Sequence, residues 1–283
     1  MQKWQTCRQA AAFHVSGIRP EGEKSKTFLG TIFHNLLEKH YLGEADAMGM
    51  VFQKLRDKAI TKGSDLQQLE NLLAQAQALF DVYRIHWKKD DAKKTWEQVE
   101  GVFDVQWNGW RLRGRCDGLY RDKNGKLWLL ETKTKSRIMA GMDSALAFDP
   151  QNLLYLQAKE QEVGEPIIGV LYNVIRQPSL RQKAKESTGQ FFARIVEDIK
   201  ERPEHYFMRY ELRYTKKTRK RFADELVEKL EDFKYWQMGD SPTYRSECNC
   251  TRGWSCEYLE LCASNSMVGY REDGQMFVEL LED

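Results

Sequence analysis

The chain has 283 residues, 41% hydrophobic and 30% charged, with a formal net charge of +2, a composition that can bury the core of one large domain or two modest ones. No apolar run approaches the roughly 20 residues that span a bilayer, and the start Met-Gln-Lys-Trp-Gln-Thr-Cys lacks the apolar core of a signal peptide, which predicts a cytoplasmic protein with no membrane partner. In that compartment six cysteines point to metal chemistry or burial rather than to structural disulfides.

In chain order, residues 8–15 are alanine-rich and predicted helical, and 17–25 form a polar loop containing Pro20. Residues 27–42 carry Phe28, Leu29, Ile32, Phe33, Leu36 and Leu37 at helical spacing. His34 falls off that stripe, one turn after Gly30, whose missing side chain leaves room for a backbone or a ligand to approach the imidazole; taken alone, His34 reads as an exposed helix histidine. Residues 45–94 read as wholly helical, an insertion over one side of a sheet, marked by Leu66, Leu69, Leu73, Ala76, Phe80, Tyr83 and Trp87. The period then changes to 2. Residues 99–107, an Asn108-Gly109 turn, 110–120, a second turn at 122–125 and 126–134 predict a three-stranded meander.

Pro150 opens the next helix, with Gln151 and Tyr155 four residues apart on one face, and the apolar run 167–175 reads as a buried central strand. A basic loop at 177–185, an amphipathic helix at 190–200, an alternating strand at 207–214 and a helix from 218 to 238 complete the periodic part. The run 213–221 holds Arg213, Lys216, Lys217, Arg219, Lys220 and Arg221, basic surface that suits a polyanion such as DNA and equally a solvated helix start.

The second hairpin places Asp117 at the end of one strand and Glu131 and Lys133 at the end of the next. Phosphodiester hydrolysis needs a hard divalent cation, a polarised water and neutralisation of the charge that develops on phosphorus. Carboxylate oxygens suit Mg²⁺ or Mn²⁺, and an imidazole shifts the preference toward Mn²⁺. Lys133 shares the strand face of Glu131 and could orient or deprotonate the water, its own pKa lowered by the cation; Thr132 faces away but its carbonyl can still reach the ion. A bare Glu-x-Lys is more often a surface ion-pair ladder, so context decides.

That context is Gly114-x-x-Asp117, Glu131-Thr132-Lys133, Gln151-x-x-x-Tyr155 and the upstream Gly30-x-x-x-His34. Together they resemble the PD-(D/E)XK nuclease superfamily, and within it the RecB-type branch. The resemblance implies an α/β fold with an αβββαβ core and a mixed sheet. It implies one nuclease domain over 1–283: a first core helix at 27–44, a helical insertion at 45–94, a catalytic core at 97–176, strand and helix additions at 177–240 and a cysteine-rich cap at 241–270 closing onto Cys7. Carried over residue by residue, His34, Asp117, Glu131 and the Thr132 carbonyl would bind the cation, Lys133 would be the catalytic lysine, and Gln151 and Tyr155 would position the scissile strand. Cys116 stands where many superfamily members have proline. Glu100, on the first strand, reads as a plain surface residue rather than an outer carboxylate.

Cys250, Cys256 and Cys262 repeat at a regular spacing and want a fourth ligand. Iron-sulfur members of the branch, including CRISPR-associated RecB-like exonucleases, pair three such cysteines with one near the N-terminus, here Cys7, around a [4Fe-4S] cluster. Cys248 is the alternative to Cys250. Zinc is the alternative metal, without its usual paired knuckles.

The implied activity is a metal-dependent deoxyribonuclease, an exonuclease on single-stranded or end-resected DNA in recombination, repair, phage DNA processing or CRISPR adaptation, with a helicase or recombinase as partner because no Walker A motif is present. The alternatives are a non-catalytic DNA-binding adaptor and a structure-specific endonuclease. Lys216, Lys217, Arg219, Lys220 and Arg221 would track phosphates, and Trp236, Tyr244 and Trp254 would stack on bases.

Overall fold

The computed structural model describes residues 2–21, 25–61, 63, 65–138, 141–250 and 256–273. Contacts group the chain into two compact units, 1–23 with 216–283 and 24–215. The first unit opens with α1 (Gln2–Thr6), α2 (Arg8–Val15) and a short β1 (Ile18–Pro20).

The second unit is the larger. It contains α3 (Ser25–Tyr41), α4 (Ala47–Thr61) and α5 (Leu66–Asp91), then β2 (Thr95–Trp107), β3 (Trp110–Arg121) and β4 (Leu127–Lys135). It continues through α6 (Met142–Leu146), α7 (Pro150–Val163), β5 (Ile167–Arg176), α8 (Thr188–Glu201), α9 (Pro203–Tyr206) and β6 (Phe207–Leu212). The chain then returns to the first unit with α10 (Lys216–Gln237), α11 (Glu247–Cys250), α12 (Leu259–Ser264) and β7 (Tyr270–Glu272).

The five strands of the larger unit lie in the order β2-β3-β4-β5-β6. The β4/β5 pair is parallel and the other three are antiparallel, so this is the mixed sheet expected from the meander followed by a helix and a strand. A parallel pair needs a crossover, and α7 supplies it. Asp149 caps α7 by accepting from Asn152 N, Pro150 stands in its first turn, and Gly164 ends it at φ 70°. Asn108 and Gly109 both take positive φ, as a two-residue hairpin turn that follows the strand twist requires.

Two cores sandwich the sheet. On one face Phe33, Leu36, Leu73, Ala76, Phe80, Tyr83, Phe191 and Ile195 from α3, α5 and α8 pack with Ile175 and Phe207. On the other, Leu146 and Leu156 of α6 and α7 pack with Cys116, Leu119, Leu129, Val170, Tyr172 and Val174. Each such large apolar side chain contributes about 1.5–3 kcal/mol by leaving water. Within β5, Val174 belongs to one core and Ile175 to the other, so this strand is buried on both faces and reads as an unbroken apolar run.

Three sequence expectations are corrected. The stretch 45–94 is broken, because Asp65 caps a new helix by accepting from Gln68 N. Residues 18–20, expected in a loop, form β1 and pair antiparallel with β7, Ile18 opposite Glu272. Gly17, at φ 78°, makes that join: a Cβ there would lie 2.2 Å from the Asp273 carbonyl oxygen. Trp236, expected to stack on bases, is buried in the smaller core with Trp4 and Ala11, and its Nε1 donates to Thr243 Oγ1 at 2.9 Å. Trp254 lies outside the described residues.

Candidate active site

The site forms where β3 and β4 part. Their ladder ends at Gly118 opposite Leu130. Two residues beyond Leu130 the Thr132 amide donates to Asp117 Oδ2, at 2.5 Å. Burial comes first in pushing the Asp117 carboxyl up to about 6, and the bond from Thr132 opposes it.

Glu131 is buried beside it, 2% exposed. Burial and the charge of Asp117 push its carboxyl up to about 7. One of its oxygens pairs with Lys133 Nζ, whereas Oε2 is buried with no hydrogen-bond partner. Lys133 Nζ also donates to Gln151 Oε1 at 3.1 Å, and Gln151 Nε2 donates to Tyr155 OH at 3.0 Å. The lysine is thus tied across to α7 through residues one helical turn apart. Burial opposes its charge, but Glu131 and Asp117 outweigh burial and, with no cation bound, hold its pKa above the ordinary lysine value.

α3 brings His34 to the same place. Its Nδ1 lies 3.8 Å from Asp117 Oδ2, and it is hydrogen-bonded to the Thr132 backbone. Burial and then Lys133 lower its pKa, which keeps the imidazole neutral and able to act as a ligand. The room left by Gly30 is taken by β4: a Cβ at Gly30 would meet Thr134 Oγ1 at 2.6 Å but Thr134 Cβ only at 3.8 Å. Gly30→Ala should therefore lower the unfolding free energy by about 1–3 kcal/mol through overpacking, and cut activity with it. Thr134→Ala removes the clashing oxygen and should restore both, read as a positive coupling in a thermal-unfolding double-mutant cycle.

Glu100 corrects the reading of it as a plain surface residue. It sits within β2 at φ 51°, a left-handed conformation unusual for a residue with a side chain, and is only partly exposed. Burial, then Asp117 and Glu38, push its carboxyl up to about 8. His34, Glu100 and Asp117 each offer a ligand atom within 4.8 Å of the others. Nothing in the alternating pattern of β2 distinguishes Glu100; only the left-handed backbone does.

Beneath the site lies a polar chain that periodicity did not single out. Asn173, fully buried in β5, donates to Thr132 Oγ1 at 3.3 Å and to Tyr83 OH at 2.8 Å. Tyr83 OH in turn accepts from Arg209, whose guanidinium pairs with Asp90 and Asp91. The signal was present: Asn173 is the one amide in the apolar run 167–175.

The residue set fits a hard divalent cation. The acids supply oxygen donors, His34 supplies a nitrogen, and the partnerless buried oxygen of Glu131 is a group that a folded protein leaves unsatisfied only at a cost of about 1–3 kcal/mol.

The cysteines belong to the other unit. Cys7, Cys250 and Cys256 line a cavity of about 330 Å³ with Lys3, Thr6 and Tyr258. Burial and then Cys256, Cys7 and Cys262 raise the Cys250 thiol, so all four thiols share one neighbourhood. Cys248 is exposed, its sulfur 3.6 Å from Ser246 Oγ. Cys116 is wholly buried between strands, its thiol pushed up to about 12 mainly by that burial. At the start of α10, Lys216, Lys217, Arg219, Lys220 and Arg221 follow one another, but Lys220 pairs with Asp224 and Arg221 with Glu225 one turn on. Tyr244 is exposed, with the Arg8 guanidinium over its ring.

Fold and site are those of an α/β nuclease whose acids can accept a divalent cation. The family model of the PD-(D/E)XK nuclease superfamily matches residues 1–263, and the chain belongs to that superfamily. Among solved structures it is similar to a Eubacterium rectale protein described provisionally as an exonuclease, at 11% identity over 87% of this chain and 81% of that one, with a TM-score of 0.46. It is also similar to the protein SSO0001, at 14% identity over 94% of this chain and 98% of that one, with a TM-score of 0.29. No curated protein matches the chain in sequence. Among the described residues no helix is long and apolar enough to cross a membrane.

Proposed function

We propose that this protein is a Mg²⁺- or Mn²⁺-dependent deoxyribonuclease of the RecB-type branch, acting as an exonuclease on single-stranded or end-resected DNA. The observation that carries the reading is the buried Glu131 carboxylate, one oxygen on Lys133 and the other without a partner, beside Asp117. When bound, a divalent cation supplies a Lewis acid that polarises the phosphoryl oxygen and the attacking water. His34, Glu131, Asp117 and the Thr132 carbonyl would hold it. Lys133, kept charged by Glu131, neutralises charge on the phosphoryl group and orients the water, while Gln151 and Tyr155 fix the lysine and line the path of the scissile strand.

A [4Fe-4S] cluster on Cys7, Cys250, Cys256 and Cys262 belongs to the same reading. Support comes from the shared field of the four thiols. It comes also from the cavity that Cys7, Cys250 and Cys256 line together. Roles in recombination, repair, phage DNA processing or CRISPR adaptation, with a helicase or recombinase opening the duplex, are consistent with a nuclease of this kind.

One experiment tests the whole. Protein purified without oxygen should be brown, with iron and sulfide in equal amounts, and should shorten end-labelled linear DNA with Mg²⁺ or Mn²⁺ but not with EDTA. A colourless, zinc-loaded protein that still cuts would remove the cluster alone. Binding without cutting would make it an adaptor, and preference for closed circles would make it an endonuclease.

A further inference from the structure

Lys159, on α7, lies wholly out of water, and its ammonium pairs with Glu162 one turn on, at 2.5 Å. Its other bonds leave the helix: Nζ donates to Gln98 Oε1 at 2.6 Å and to the Val102 carbonyl at 3.3 Å. Both acceptors are on β2, two residues to either side of Glu100. β2 is an edge strand, so β3 alone holds it by a ladder. Its register shifts between Trp96 and Gln98, and Glu100 then takes φ 51°. Gly101 lets the kink close, since a Cβ there would lie 2.5 Å from Gln98 Oε1, the atom that Lys159 grips. The Gly101 carbonyl accepts from Cys116 Sγ at 3.4 Å. With Val99 opposite Gly118 and Gly101 opposite Cys116, Glu100 comes level with Asp117. Carboxylates placed so across two strands repel each other, and strained backbone persists only where its surroundings hold it.

We infer that Lys159 is a positioning residue for the active site: its buried ammonium clamps the kink of β2 and so presents Glu100 to the cation as a further ligand. This rests on the reading of the site as one for a divalent cation. A buried ammonium costs stability unless it is paired, and an apolar side chain of similar volume would support a fold as well or better. Lys159 instead directs its donors to both flanks of one residue, and that residue lies with His34 and Asp117. The helix face it stands on has the same task elsewhere. Gln151, Tyr155 and Lys159 follow one another at intervals of four along α7. Gln151 fixes Lys133 on β4, and Tyr155 lies against Phe103 of β2, their ring centroids 5.4 Å apart. One face of α7 thus sets both strands that bring charge to the site.

The test follows Mn²⁺ binding to the full-length protein, without DNA, by loss of the free ion's electron paramagnetic resonance signal. Four proteins are compared: wild type, Glu100→Gln, Lys159→Met and the double variant. Each single substitution should weaken Mn²⁺ binding about 10- to 100-fold, the usual effect of removing a ligand's support. The double variant should bind no more weakly than Glu100→Gln, because Lys159 acts through that residue. Losses that multiply in the double variant would make Lys159 a general prop of the fold and overturn the inference. Wild-type affinity in either single variant overturns it too. If Lys159→Met does not fold, Gln98→Ala replaces it in the cycle, removing the acceptor on one flank while the ammonium keeps Glu162, and the same lack of additivity is expected. A wild type that binds no Mn²⁺ would sink the cation reading and the inference with it, an outcome distinct from one in which the wild type binds and the variants do not differ.

Discussion

Asp117→Asn should abolish cleavage, by roughly three orders of magnitude or more, and at the same time make the metal-free protein more stable. The two effects have one origin. Asp117 and Glu131 share a buried place, and each carboxyl is pushed up, to about 6 and about 7, first by that burial. A carboxyl whose folded pKa lies above its unfolded value destabilises the fold at every pH above the folded pKa, and the penalty fades as pH falls to the unfolded value near 4. With no cation, the contribution of this carboxyl pair to stability should therefore rise as pH is lowered from about 8 toward 4. The asparagine, which can still accept from Thr132 N, escapes about 2–3 kcal/mol of the penalty at pH 8. In thermal scans with EDTA its melting temperature should lie several degrees higher at pH 8, with the gap closing by pH 4. Added Mn²⁺ should raise the wild type and leave the variant where it was. A variant that melts lower than the wild type in EDTA at pH 8 would falsify the account of Asp117 as a strained ligand.

Lys133→Met should cut the cleavage rate by roughly 10²- to 10⁴-fold while leaving DNA affinity in Ca²⁺ and the fold nearly unchanged. Methionine keeps the length of the side chain but not its charge or its donors. Glu131 then loses its ion pair and Gln151 Oε1 its donor. Because the lysine is one-third exposed at its side chain, the change opens no deep cavity. Lys133→Arg should not recover the rate, since a planar fork cannot replace a compact ammonium held between Glu131 and α7. The decisive measurement is single-turnover cleavage of end-labelled DNA: wild-type rates in the methionine variant would reduce Lys133 to a partner of Glu131.

Much of this fold was legible because periodicity survives burial. The stripe on α3, the alternation of β2 and β3, and the Asn108-Gly109 turn each follow from local residue chemistry, and together they yield a mixed sheet between helices. What escaped has a common physical character. β1 and β7 are three residues each and more than 240 positions apart, so neither carries a period long enough to read. Glu100 looks like any outward strand residue; its place beside His34 and Asp117 goes with a left-handed backbone. Asn173 hides in an apolar run, and its two bonds, to Thr132 and Tyr83, join segments 41 and 90 residues away. In the site, residue types and spacing nominated Asp117, Glu131 and Lys133, and the family resemblance added His34, Gln151 and Tyr155; the structure brings the six together.

The Thr132 amide, a backbone donor bonded to a side-chain carboxylate, is a spectroscopic handle native to the protein. A proton on so short a contact to a charged oxygen resonates far downfield and exchanges slowly. Once Asp117 shares its oxygens with a cation, that proton moves upfield, so titration of one nitrogen-15 resonance reads occupancy of the site in solution, without catalysis and without a label on the nucleic acid.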